Sequence, residues 1–120
     1  MKGDTMVDGC IFCGIADLRV PAELLYQDHL LVAFRDIKPA APVHILIVPK
    51  KHIADVRDLG DIDAEMLGKV FAVAALLAKQ EGIADSGFRL VVNTGPDAGQ
   101  TVEHIHFHLL GGREMGWPPE

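Results

Sequence analysis

Near the C-terminal end of the chain, His104-Ile105-His106-Phe107-His108-Leu109-Leu110 alternates imidazole and apolar side chains. A β-strand points successive side chains to opposite faces, so the three imidazoles are expected on one face, with Ile105, Phe107 and Leu109 entering a core. Neighbouring imidazoles on such a face are rooted about 7 Å apart, close enough to share one phosphate or one metal ion. Histidine is uncommon, and strand faces do not prefer it over Thr, Lys or Glu, so a solvated face that is histidine-rich by chance is a poor account of the run.

The remaining segments supply a setting for that strand. Cys10–Leu18 reads as a short helix or turn with Phe12 and Ile15 inward. Leu24–Tyr26, Leu30–Arg35, Val43–Val48, Phe88–Asn93 and Val102–Leu110 read as strands, set apart by polar, proline- or glycine-bearing turns. One long helix is expected over Ile62–Glu81, with Asp61 as its cap and Gly82 in the left-handed position that ends it. Ile62, Met66, Val70, Val73, Ala74 and Leu77 fall on one face of it. Its second half is apolar almost all round, so a second subunit is expected to cover what one sheet cannot. Consecutive strands with short turns favour an α+β domain, an antiparallel five-stranded sheet with its helices on one side. At 120 residues there is room for one core: residues 1–8 read as a loose polar arm and 9–120 as a single domain.

Composition narrows the function. Eleven basic against seventeen acidic residues give a net charge of -6, which argues against nucleic-acid binding, since clustered Lys and Arg carry phosphate-backbone affinity. A local pocket can still hold a small anion. The longest apolar run, Val70–Ala78, is nine residues, about half a membrane span. Two cysteines are too few for a disulfide scaffold, and no secretory leader is read before Cys10, so a cytoplasmic protein is expected.

Two chemistries compete for the imidazole row, a metal site and a phosphate site. The preceding loop, Asn93-Thr94-Gly95-Pro96-Asp97-Ala98-Gly99-Gln100-Thr101, favours phosphate. It places amide, hydroxyl and glycine-exposed N–H donors beside the row, and neutral donors offset phosphate charge without repelling a nucleophile. A neutral imidazole, with an ordinary pKa near 6.5, is itself nucleophilic at pH 7 once an acceptor holds its distal N–H. His44 is a candidate for helping to hold it, and His108 for protonating a leaving amine. Asn93, the Gly99–Thr101 backbone and His108 would then hold phosphoryl oxygens without a required magnesium ion. Asp36, on a loop after a strand, can chelate a diol.

His104-Ile105-His106-Phe107-His108-Leu109-Leu110 resembles the histidine triad motif, and the resemblance runs over nearly the whole chain. Asp36-Ile37, Ala41-Pro42-Val43-His44, Ile47 through His52, Val91-Val92-Asn93 and Gly111-Gly112-Arg113 are similar to the nucleotide-binding (Hint) branch of the histidine triad superfamily. The tail Gly116-Trp117-Pro118-Pro119 separates it from the dinucleoside polyphosphate hydrolase and uridylyltransferase branches. The resemblance implies a homodimer with one continuous sheet, and hydrolysis of the P–N bond of purine nucleoside 5′-phosphoramidates or of acyl-AMP. It also assigns roles: His106 as the nucleophile that forms a nucleotidyl-histidine, His44 as its orienting partner, and His108 and Asn93 at the α-phosphate. Gly99 and Gln100 stand in the phosphate loop. Thr101 stands where serine is more usual and keeps the hydroxyl. Asp36 is assigned to the ribose, Phe12, Ile15, Phe34 and Ile37 to the base, and Trp117 to the far end of the substrate.

Cys10-Ile11-Phe12-Cys13 departs from the eukaryotic pattern and is similar to bacterial members in which two thiolates join two histidines, here His52 and His104, around a structural zinc ion. Two sulfurs and two nitrogens suit tetrahedral zinc. The Cys-x-x-Cys alone is equally a pair of buried thiols or a redox pair, although the strand order lacks a thioredoxin-like context. Besides a histidine-rich metal carrier, which would bind more than one metal ion per chain, two rival functions remain open at this level. One is hydrolysis of another nucleotide bond at the same site, and the other is a nucleotide- or zinc-sensing module with little turnover.

Overall fold

The structure, a computed structural model, describes residues 9–119. The proposed arm, residues 1–8, lies outside the described residues. Helix α1 (Ile11–Ala16) is followed by strands β1 (Leu24–Gln27), β2 (Leu31–Arg35) and β3 (Val43–Pro49), helix α2 (Ala64–Gln80), and strands β4 (Phe88–Val92) and β5 (Phe107–Gly111). The strands form one antiparallel sheet in the order β1-β2-β3-β5-β4, the expected α+β architecture.

Strand β3 explains the layering. Its run Val43-His44-Ile45-Leu46-Ile47-Val48 is apolar on both faces except at His44, so both faces must be covered. Ile45 and Ile47, with Leu31, Ala33, Phe107 and Leu109, pack under Met66, Val70, Val73, Ala74 and Leu77 of α2. Leu46 and Val48, with Val32 and Phe34, pack under Phe12, Ile15 and Ala16 of α1. The helices therefore lie on opposite faces, not on one side as expected. Short α1 covers only part of its face and leaves the His44 end open.

Several boundaries differ from the sequence reading. A 3-10 turn, Asp61–Asp63, precedes α2 and carries Ile62 outward to 85% exposure, so Ile62 does not belong to the buried face. Asp63, not Asp61, secures the helix start: its carboxylate accepts from the Gly60 N–H at 3.0 Å and from Lys51 Nζ at 3.2 Å. At the other end the expectation holds. Gly82 has φ +76°, its N–H donates to the Lys79 carbonyl, and the Ile83 N–H donates to the Ala78 carbonyl, a Schellman closure. Phe71 and Leu76 on the outer side of α2 remain 65% and 41% exposed. Strand β5 begins at Phe107, later than expected, because the Ile105 N–H donates to the Ile53 carbonyl outside the sheet. Among the described residues, no helix is long and apolar enough to cross a membrane.

Candidate active site

His104, His106 and His108 lie on the α1 side of the sheet, and each ring has a different environment. His106 is buried at 6% exposure. Its Nδ1–H donates to the His104 backbone carbonyl at 2.7 Å, which leaves Nε2 with its lone pair free. Burial holds its pKa below the ordinary value, against the opposing pull of the His104 carbonyl and Asp36. A buried, neutral imidazole with one nitrogen unprotonated is a competent nucleophile at pH 7. The acceptor that holds this N–H is thus the backbone carbonyl two residues upstream, where the sequence reading offered His44.

His44 instead pairs with His108. Its Nδ1 accepts from the Ala40 N–H at 2.9 Å, so a neutral His44 carries its proton on Nε2. That Nε2–H faces His108 Nδ1 at 2.9 Å and Asp36 Oδ2 at the longer distance of 3.4 Å. His108 must then accept at Nδ1 and carry its own proton on Nε2. Burial, reinforced by His106 and His44, pushes the His108 pKa down to about 4. A ring held neutral at pH 7 offers an N–H to a phosphoryl oxygen but is a poor acid, so the geometry revises the expectation that His108 protonates a leaving amine.

His106 and His108 border a cleft of about 360 Å³. Phe12, Ile15, Val20, Phe34 and Leu46 form an apolar slot, and Asp36, Thr101, His106 and His108 supply its polar edge. Ile37 stands at the rim, 92% exposed. Phe12 meets His106 edge-on at 5.0 Å and Phe34 at 5.7 Å, joining the slot to the nucleophile. Val20 and Leu46 were not anticipated. The period of two from His44 points to Leu46, whereas nothing local marks Val20.

The phosphate-loop donors fare unevenly. In β4, Val91 and Val92 pair with His108 and Phe107, and this register carried one step further sets Asn93 against His106. Gly99 and Gln100, however, spend their backbone N–H groups inside the turn, on the Pro96 and Gly95 carbonyls. The Gln100 amide accepts from the Gly95 N–H and donates to the Ala54 and Val102 carbonyls at 2.8 and 2.9 Å. Both residues therefore hold the loop in shape in this structure. Trp117 is 82% exposed and does not line the cleft of its own chain.

The fourth feature is sulfur-rich. Ligand atoms of Cys10, Cys13, His52 and His104 lie within 4.8 Å of one another and could hold a metal ion. Cys10 Sγ is 3.3 Å and Cys13 Sγ 3.5 Å from His104 Nδ1, and Cys13 Sγ is 3.2 Å from His52 Nδ1. His104 Nε2 donates to the Pro49 carbonyl at 2.8 Å, so its bare Nδ1 lone pair faces the two sulfurs. Helix α1 contributes to both features: Cys10 caps it, Cys13 lies in its first turn, and Phe12 between them reaches the cleft.

Comparison with known proteins agrees with this geometry. The model of the HIT domain matches residues 17–115. The purine nucleoside phosphoramidase of Escherichia coli is 49% identical over 111 residues, spanning 92% of this chain and 93% of that relative. A HIT family hydrolase from Legionella pneumophila superposes with a TM-score of 0.91 at 50% identity, covering 93% of this chain and all (100%) of that one. A histidine triad nucleotide-binding protein from Candida albicans superposes at 0.78 with 33% identity, covering 93% and 85% of the two chains. With the fold, the imidazole row and these relatives in agreement, the chain is an enzyme of the HIT domain family.

Proposed function

We propose that this chain hydrolyses the P–N bond of purine nucleoside 5′-phosphoramidates, as a member of the nucleotide-binding branch of its family. The observation that carries the reading is the tautomer of His106: Nδ1–H on the His104 carbonyl, Nε2 free at the floor of an apolar slot. The base enters between Phe12, Ile15 and Phe34, and Asp36 takes the ribose hydroxyls. His106 Nε2 attacks the α-phosphorus, the P–N bond breaks, and the amine departs with a proton drawn from water. The cationic nucleotidyl-imidazole keeps its Nδ1–H on the His104 carbonyl. The His108 Nε2–H, Asn93 and the Thr101 hydroxyl stabilise charge on the phosphoryl oxygens. Water then attacks phosphorus, releasing the nucleoside monophosphate and restoring His106.

Cys10, Cys13, His52 and His104 would hold a structural zinc ion. Zn–S and Zn–N bonds of about 2.3 and 2.0 Å at tetrahedral angles set sulfur–nitrogen edges near 3.5 Å, and the gaps here run from 3.2 to 3.5 Å. That ion would brace α1 and take no part in bond breaking. The exposed Phe71 and Leu76 on α2 support a homodimer.

The test is His106→Asn. Turnover of adenosine 5′-phosphoramidate should fall by about three orders of magnitude or more, with AMP affinity within a fewfold of wild type. Turnover retained in that variant would end the reading. Binding of AMP without turnover in the wild-type protein would favour the sensing module.

A further inference from the structure

The segment after β5 contributes no residue to the cleft, yet it reaches the machinery behind it. The Arg113 guanidinium donates from Nη2 to the Ala40 carbonyl at 3.2 Å. Ala40 in turn donates its N–H to His44 Nδ1, and His44 Nε2 meets His108 Nδ1. Hydrogen bonds thus hold Ala40 on both sides, from Arg113 at its carbonyl and to His44 at its N–H, and His44 leads on to the imidazole that faces the cleft.

The Asp36–Pro42 loop is anchored at the buried Ala41 but is otherwise open on the side before it. Ile37, Lys38, Pro39 and Ala40 are all exposed. The Lys38 N–H is spent on the Asp36 carboxylate and the Asp36 N–H on the His44 carbonyl, both within the β2–β3 hairpin. Among the described residues, Arg113 is the one hydrogen-bond donor that reaches this loop from outside the hairpin. A steric contact joins the same two segments: at Gly112, φ +93°, a Cβ would stand 2.9 Å from the Pro42 Cβ. Arg89 of β4 donates to the Gly116 carbonyl and so pins the segment on the far side of Arg113.

We propose that Arg113 is a positioning residue for the His44–His108 pair, acting through the Ala40 residue whose N–H dictates the proton arrangement of both rings. Holding the Ala40 carbonyl keeps the Ala40 N–H aimed at His44 Nδ1. With that N–H in place His44 donates from Nε2, His108 accepts at Nδ1, and the His108 Nε2–H is available to the substrate. Without it, either ring can carry its proton on either nitrogen, and a fraction of molecules presents a lone pair to the phosphoryl oxygen. The consequence for turnover rests on the phosphoramidase reading; the tautomer itself does not.

The experiment compares wild type, Arg113→Ala and Arg113→Lys. Ring-nitrogen NMR of the ligand-free proteins should show protonated Nε2 on His44 and His108 in wild type and a mixture of tautomers in Arg113→Ala. On adenosine 5′-phosphoramidate, kcat should fall about tenfold in Arg113→Ala with KM within about twofold, because the donor is misplaced and the base slot is untouched. Arg113→Lys, which keeps one donor to the carbonyl, should recover most of both signals. Ala40→Pro, which deletes the N–H itself, should reproduce the tautomer mixture. Unchanged ring-nitrogen signals in Arg113→Ala overturn the proposal, as does unaltered kcat. A wild-type protein inactive on phosphoramidates would count against the proposed function alone, and the NMR comparison would still decide the role of Arg113.

Discussion

The two ends of the histidine row carry the same side chain into opposite chemistry. At one end, His104 and His52 face two sulfurs across gaps of 3.2 to 3.5 Å. At the other, His108 and His44 face each other at 2.9 Å beside Asp36. Asp36, His44 and His108 also lie close enough to bind an ion. A nitrogen pair 2.9 Å apart is nevertheless bridged better by a proton, since two nitrogens on one tetrahedral ion stand about 3.3 Å apart. The Ala40 N–H also occupies the other nitrogen of His44. An imidazole's role is set by what its second nitrogen meets: a carbonyl behind His104 turns its lone pair to the thiols, and a backbone N–H behind His44 turns its proton to His108.

The sharpest way to break this contrast is at the sulfurs. If the proposed zinc is held there, metal analysis should find one ion per chain, and Cys13→Ser or chelation should remove it and lower the thermal midpoint by on the order of 10 °C. His44→Asn should leave the metal content unchanged. Metal analysis that finds two ions per chain, or loss of metal in His44→Asn, would show that the two ends are not distinct.

The next effect concerns the proton-linked end. Folding lowers the His108 pKa to about 4, so between that value and about 6.5 the unfolded chain binds more protons than the folded one. Stability is therefore lost as pH falls through this window and is regained as pH rises. In metal-loaded protein, His108→Asn should flatten the slope of stability against pH by about one proton. An unchanged slope would mean that the ring is not held neutral by burial.

The smallest effect separates the acid from the rings it touches. Asp36→Asn keeps the Oδ1 acceptor for the Lys38 N–H and removes the charge near His44. KM for the nucleotide should rise about tenfold if Asp36 holds the ribose diol, with kcat within about threefold. A kcat loss larger than the KM change would place Asp36 in the proton network instead.

Much of this site is legible in the chain because its logic is local. The period of two in His104–Leu109 places the imidazoles together, Cys10 and Cys13 share one helical turn, and Gly82 ends α2 where a positive φ is required. The misreadings share a cause. The helices read as lying on one side of the sheet, yet β3 is apolar on both faces and draws one helix to each. Ile62 has the spacing of a core position, but the turn before α2 rotates it out.

From its residue order alone, this chain determines its strands, its long helix, the imidazole row and the thiol pair, because backbone sterics and side-chain periodicity act over a few residues. Only the tertiary structure decides which nitrogen of each histidine carries the proton. Those partners are carbonyls, amides and rings that sheet register and loop packing bring together from distant parts of the chain, as when His44 meets His108 and Arg113 meets Ala40.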